Sequence, residues 1–89
     1  MKAIMTVIAP DRVGIIASVC SLLASMNVNI LDLSQTIMDD MFTMTLLVDT
    51  STSQRSFEEV RSALIEKGEA ENLSIRIQRH DIFTAMHRI

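Results

Sequence analysis

The chain opens with an informative pattern, AIMTVIAPDRVGII at residues 3–16, which joins an apolar run to a charge-free segment. The run before Pro10 is short and rich in branched side chains, which is typical of a strand. After Gly14 the apolar side chains recur at helical spacing, with Ile15 and Val19 on one stripe. A strand that passes into a helix through a glycine turn predicts a fold that mixes both elements.

The same patterns along the rest of the chain give two halves, each made of a strand, a helix and a strand. Apolar and polar residues alternate over residues 42–48 as in a half-buried sheet, and Asp39 and Asp40 indicate a tight turn before them. Ser53 is expected to cap the second helix and Gly68 to end it. Strands are predicted at residues 2–8, 29–38, 41–48 and 73–79, helices at residues 14–26 and 56–66, and a short amphipathic tail at residues 80–89.

The order β-α-β-β-α-β predicts a single α+β domain over residues 1–89. Two right-handed crossovers interleave into a four-stranded antiparallel sheet with two helices on one face, the ferredoxin-like sandwich. The second and fourth strands are then the edges. The second strand is long, has no proline and carries one charge, at Asp32, so it invites pairing with another chain. The helix-free face and the apolar tail also need cover, and together these surfaces predict a homodimer.

Composition excludes several classes of protein. The 89 residues are 48% hydrophobic and 21% charged with a net charge of −3, which excludes disorder and argues against a nucleic-acid or anionic membrane surface. Residues 13–31 carry no charge, but serine and asparagine are too frequent there for a membrane span. Cys20 is the single cysteine, so we expect an inert, buried thiol in a cytoplasmic protein.

Catalysis and metal binding have little support in the sequence. His80 and His87, the two histidines, are expected to be partly exposed residues of the tail and not a base beside a nucleophile. A turn explains Asp39 and Asp40 better than acid/base chemistry does, because side chains at a turn tip sit in water. Neither group supplies the ligand count of a metal site. We therefore expect no enzyme activity, no metal and no cofactor.

The loop of residues 11–15 is the candidate binding site. Gly14 has no Cβ, so another molecule can approach the backbone closely, and the first helical turn presents unpaired N–H groups that suit a carboxylate. Asp11 has the charge to hold an ammonium group, so a free amino acid would be gripped by both charged ends. The alternative is purely structural, with Asp11 capping the turn and Gly14 relieving strain.

Several short motifs resemble those of one family. They are PDRVGI at residues 10–15, NVNI at residues 27–30 and the ending IFTAMHRI at residues 82–89. The chain resembles an ACT domain over essentially its whole length. It is most similar to the small family of stand-alone bacterial and archaeal ACT proteins, which resemble the ACT units of glycine-cleavage repressors.

The resemblance implies a regulatory protein without catalytic activity and an effector site between two ACT domains. That site is lined by the loop after the first strand and by the start of the second strand, where Asp11, Gly14 and Asn29 match the usual positions. Many ACT domains have a proline where this chain has Val13. A ligand-free module that docks on an enzyme or a transcriptional regulator is the alternative. The expected ligand-binding residues are Asp11, Arg12, Val13, Gly14, Ile15 and Asn29.

Overall fold

The computed structural model describes residues 1–80, so the predicted tail lies outside the described residues except for His80. The sheet order is β2-β3-β1-β4, and every neighbouring pair is antiparallel. The predicted ferredoxin-like α+β sandwich is confirmed, with β2 and β4 at the edges. The elements are β1 (Lys2–Pro10), α1 (Ile15–Ser25), β2 (Asn29–Met38), β3 (Met41–Asp49), α2 (Phe57–Glu71) and β4 (Ser74–Arg79).

The core lies between one face of the sheet and the two helices. Successive side chains of a strand point to opposite faces, so alternate residues of β1 and β3 enter the core. Met5 pairs with Leu46 and Val7 with Met44, and all four side chains are fully buried. Flexible methionines take the place of aromatic rings in filling this space. The helices contribute the fully buried side chains of Val19, Leu23, Val60 and Leu64.

The start of α2 differs from the prediction that Ser53 is its cap. The Ser56 hydroxyl accepts a hydrogen bond from the Glu59 amide at 3.2 Å, and the Glu59 carboxylate accepts one from the Ser56 amide at 3.0 Å. The prediction was wrong because only Ser56 stands three residues before a glutamate that can reach back, which makes a capping box. Ser53 instead accepts a hydrogen bond from the Arg55 amide at 3.2 Å.

The end of α2 also differs from the prediction. The helix runs through Gly68 to Glu71, and Asn72 takes the left-handed conformation (φ 58°) that ends it. The Leu73 amide then donates to the Gly68 carbonyl at 2.8 Å. Glycine is required at this point for close packing, because a Cβ on Gly68 would lie 2.5 Å from the Leu73 carbonyl oxygen. The prediction that Gly68 ends the helix was therefore wrong.

The strand β2 is an open edge. Every residue from 31 to 38 is exposed, and the apolar side chains among them include Leu33 and Ile37. The register with β3 shifts between Ile30 and Asp32, which marks a β-bulge near the start of the strand. Within residues 1–80, no helix combines the length and the apolar character needed to cross a membrane.

Candidate functional site

The loop between β1 and α1 forms a cleft with the end of β2. The cleft has a volume of about 520 Å³. It lies on the helix side of the sheet, since Gln35 and Ile37 are the register partners of the buried Met44 and Phe42. The loop and the start of α1 line one side of it, and residues of β2 and β3 line the other. The lining residues are Asp11, Arg12, Gly14, Ile15, Ile16, Ala17, Gln35, Ile37 and Phe42.

Gly14 is the N-cap residue immediately before α1, and its backbone is left-handed (φ 93°, ψ 0°). An L residue that has a side chain rarely adopts this backbone conformation. A Cβ built on Gly14 would meet no atom within 4 Å, so glycine is needed for backbone conformation and not for packing. No side chain caps the helix. The structural alternative is thus half right, because Gly14 does relieve strain but Asp11 is not the cap.

The first turn of α1 carries amide groups without helical acceptors. The first intrahelical bond is donated by the Ser18 amide to the Gly14 carbonyl at 2.9 Å. The amides of Ile15, Ile16 and Ala17 precede it and have no acceptor within the helix. No acidic residue stands in this turn to offset the positive end of the helix dipole. The helix start can therefore bind an anionic group.

Asp11 is fixed through its backbone and exposed through its side chain. Its amide donates to the Asp40 carbonyl at 2.8 Å, which ties the loop to the turn between β2 and β3. Among residues 1–80 the Asp11 carboxylate has no hydrogen-bond or ion-pair partner. A carboxylate held at the rim of the cleft in this way is available to a cation.

Arg12 is already committed to another part of the molecule. Its guanidinium donates to the Glu71 carbonyl and lies 3.8 Å from the Glu71 carboxylate. Ser18 donates to the two oxygens of the same carboxylate at 2.8 and 3.0 Å, and Lys67 forms an ion pair with it. These contacts lower the pKa of Glu71, and the contact with Lys67 has the largest effect. Arg12 therefore fastens the loop to the end of α2.

Two of the predicted site residues lie away from the cleft. Val13 is fully exposed at the tip of the loop and does not line the cleft. Asn29 begins β2 opposite Asp49 and lines a separate hollow beside Asn27. The length of α1, about 16 Å for a helix of this size, separates Asn29 from Gly14. Of the predicted residues, one chain therefore brings Asp11, Arg12, Gly14 and Ile15 together at the cleft.

Several lining residues were missed by sequence reasoning. Gln35 and Ile37 reach the site through strand pairing, because the turn at Asp39 and Asp40 sets Ile37 opposite Phe42. A signal was present in the sequence, since pairing residues outward from that turn gives the same register. The partnership of Arg12 with α2 had no such signal.

Two further features lie outside this site. A hollow of about 660 Å³ between the start of α2 and the end of β4 adjoins Arg79, next to the residues beyond the described part of the chain. Cys20 is half-buried on α1, and burial raises the pKa of its thiol, which keeps the thiol protonated at neutral pH. Within residues 1–80, no three His, Cys, Asp or Glu side chains are grouped so that they could hold a metal ion.

Comparison with known proteins decides the family. Residues 2–78 match the sequence model of the ACT domain. The chain belongs to the ACT domain family. An ACT domain is a regulatory domain that binds small molecules, and the predicted resemblance is confirmed.

One relative and two solved structures show the range of similarity. The chain is 55% identical over 89 residues to a UPF0237 protein of Clostridium acetobutylicum, with 100% of both chains covered. It is 40% identical to an ACT domain protein from Streptococcus pneumoniae, with a TM-score of 0.83 and 98% of each chain covered. A putative glycine cleavage system transcriptional repressor shares the fold, with a TM-score of 0.76 and 22% identity, covering 86% of this chain and 44% of that one.

Proposed function

We propose that this ACT protein is a non-catalytic cytoplasmic regulator that binds a free amino acid at the interface of a homodimer. The observation that carries the proposal is the uncapped start of α1 at Gly14, beside the uncommitted carboxylate of Asp11. A positive helix end and a carboxylate at one cleft match the two charged groups of an α-amino acid. A lone cysteine without a disulfide partner fits a reducing compartment.

The cleft also suits the size and the polarity of an amino acid. The ligand carboxylate would accept hydrogen bonds from the amides of Ile15 and Ile16, and the ammonium group would face Asp11. The ligand side chain would then contact Ile37 and Phe42, which are apolar residues on the sheet side of the cleft. Small-molecule sites commonly combine a mostly apolar wall with a few convergent polar groups.

A second copy of the chain would complete this site. If two β2 edges pair antiparallel about a centre at Leu33, Asn29 of one copy comes close to Ile37 of the other. Directly paired residues have Cα atoms about 5 Å apart. Ile37 lines the cleft, so Asn29 would approach the Gly14 loop of the other chain. This pairing accounts for an Asn29 that is distant from the site within its own chain.

Thermal unfolding with each of the twenty amino acids tests the proposal. A ligand that is present at 100 times its Kd is expected to stabilise the protein by about 2.7 kcal/mol. Asp11→Asn keeps the shape of the side chain and should remove the stabilisation while the unliganded protein melts as before. Glu69→Gln is the matched control, because it removes an exposed carboxylate on α2 away from the cleft. Equal shifts for both variants would contradict the role of Asp11.

The dimer arrangement has its own test. Leu33→Lys would place two ammonium groups beside each other at the proposed twofold axis, where like charges destabilise strand pairing. We expect this variant to dissociate and to lose the ligand shift together. No shift with any amino acid for the wild-type protein, together with recovery of a stable complex with another protein, would favour the ligand-free docking module. The exposed apolar side chains of β2 are the observation that keeps this second function open.

A further inference from the structure

Glu71, the last residue of α2, holds the binding loop at two points. The Ser18 hydroxyl donates to both oxygens of the Glu71 carboxylate, at 2.8 and 3.0 Å. The Arg12 guanidinium lies 3.8 Å from one of these oxygens and also donates to the Glu71 backbone carbonyl. Arg12 precedes Gly14 in the chain and Ser18 follows it. One residue of α2 therefore bonds to both sides of the glycine.

The amides that can receive an anionic group lie between these two points of attachment. Those of Ile15, Ile16 and Ala17 have no acceptor within α1, and their directions depend on the left-handed backbone of Gly14. A glycine loses more conformational freedom on ordering than any other residue, so Gly14 does not hold one conformation by itself. No side chain caps this helix start. The contacts on either side of the glycine therefore fix the directions of the amides.

The position of Glu71 at the end of α2 favours this attachment. Its carbonyl is among the last four of the helix, which have no partner within it, and the last turn of α2 has no basic residue. Arg12 supplies a donor to that carbonyl and a cation at the negative end of the helix dipole. The Glu71 side chain is 30% exposed, so salt screens these contacts less than it screens those of a fully exposed carboxylate.

We propose that Glu71 is the positioning residue of the amino-acid site and keeps the Gly14 loop in the conformation that binds. The inference rests on the proposed function for the ligand, whereas the contacts that carry it belong to the unliganded protein. A loop that holds its binding conformation for only a fraction of the time binds its ligand more weakly by that fraction. A ligand shifts the population toward the conformation that it prefers, so an amino acid at the loop also stabilises the end of α2.

Isothermal titration calorimetry well below the melting temperature measures the affinity of the folded protein. The probe is the amino acid that gives the largest thermal shift among the twenty. Glu71→Gln keeps the length of the side chain and removes its charge, and we expect the Kd to rise by about tenfold. Glu69→Gln is the matched control, because it makes the same change on an exposed residue of the same helix. Lys67→Gln removes the ion pair within α2 and spares the bonds to the loop, so both of these variants should keep the wild-type Kd.

Ser18→Ala separates positioning from stability. Alanine is the best helix former, so α1 gains propensity while the bond to Glu71 is lost, and Ser18 does not line the cleft. We expect the Kd to rise although the gain in propensity offsets part of the lost stability. The effects of Ser18→Ala and Glu71→Gln on the Kd should be less than additive, because the two residues share one bond. A merely structural role would lower the melting temperature and leave the Kd of the folded protein unchanged.

Amide hydrogen exchange tests the hold on the loop without a ligand. The Ser18 amide, which donates to the Gly14 carbonyl, should exchange about tenfold faster in Glu71→Gln than in Glu69→Gln, while amides in the middle of α1 keep their rates. In the wild-type protein, the bound amino acid should slow exchange of the Leu73 amide, just after α2. Equal exchange at Ser18 in the two variants, or an equal Kd, would overturn the role of Glu71. If no amino acid binds the wild-type protein, the proposed function fails, and the exchange rates alone decide whether Glu71 holds the loop.

Discussion

The two helices of this domain end in the same way and begin in opposite ways. Each ends with an asparagine in the left-handed conformation, Asn27 after α1 and Asn72 after α2, followed by an amide that donates five residues back. At their starts, α2 has the reciprocal bonds of Ser56 and Glu59, and α1 has Gly14 with no capping side chain. One helix start is capped by side chains of the chain itself, and the other has no capping side chain.

This difference argues for a binding role at α1 more strongly than either helix does alone. The same short chain caps one helix with a serine and a glutamate, and it places two acidic residues in the first turn of that helix. At α1 it places neither. Glycine at this N-cap costs the helix a few tenths of a kcal/mol relative to a serine or asparagine cap. The cost is offset if a ligand carboxylate takes the place of the cap.

The largest expected effect is the loss of stability caused by Gly68→Ala, which exceeds that expected at Gly14. Gly68→Ala would force a Cβ to 2.5 Å from the Leu73 carbonyl oxygen inside the packed end of α2. Overpacking of this kind costs about 1–3 kcal/mol, and we expect Gly68→Ala at the upper end because the obstacle is backbone. The measurement is urea unfolding. Ligand binding by the remaining folded protein should be unchanged, and a variant as stable as wild type would show that the end of α2 is loose.

Gly14→Ala should have a smaller effect on stability and a larger one on binding. The space around Gly14 is open, so the cost is that of a left-handed backbone for an L residue, about 1–2 kcal/mol. Gly14→Asn is the matched control, because asparagine tolerates this conformation better. Alanine should remove the amino-acid shift, whereas asparagine should retain part of it. Identical stability for the two variants would mean that the helix start can change its backbone conformation freely.

Ser56→Ala removes the side-chain cap at the start of α2. Loss of the capping side chain should destabilise the protein by about 1 kcal/mol, because the Glu59 amide at the start of α2 loses its acceptor. The amino-acid shift should be the same as in the wild-type protein when the two are compared by differential scanning calorimetry. A loss of ligand binding in Ser56→Ala would place the site at α2 and not at α1.

The contrast also shows how far sequence reasoning reaches. The fold follows from local periodicity, such as the alternation over residues 42–48, and from the turn at Asp39 and Asp40. The candidate loop at Gly14 is contiguous in sequence, so it could be proposed from the sequence alone. The prediction that Gly68 ends the helix failed because a glycine marks either a left-handed backbone or a close contact, and the sequence does not say which.

What could not be predicted depends on contacts between distant segments. Arg12 and Glu71 are 59 residues apart, and their bond exists only because α2 ends beside the start of α1. Ile37 and Phe42 join the cleft through strand register. Asn29 lies far from Gly14 because the length of α1 separates the two residues. Such relations need the packed structure and not the pattern of one segment.

The smallest expected effect is on the pH dependence of stability. The pKa of Glu59 lies below its ordinary value of 4.5, mainly because its carboxylate accepts a hydrogen bond from the Ser56 amide. The Ser56 hydroxyl lowers it further. A lowered pKa in the folded state stabilises the protein above the unfolded value, and this contribution is lost as the pH falls through the folded pKa. The melting temperature should therefore decline below about pH 4.5. Solvent screening keeps the effect small, because the group is exposed.

Two variants divide this acid-induced decline between the two ends of α2. Glu59→Gln should flatten the part that belongs to the start of α2, and Glu71→Gln the part that belongs to the bonds of Lys67, Ser18 and Arg12 at its end. The start of α1 has no carboxylate in its first turn, so it should add nothing to the profile. Melting curves between neutral and acidic pH measure both parts. If the double variant declines as steeply as the wild-type protein, other carboxylates govern acid stability, and the capped start of α2 has no measurable electrostatic advantage over the open start of α1.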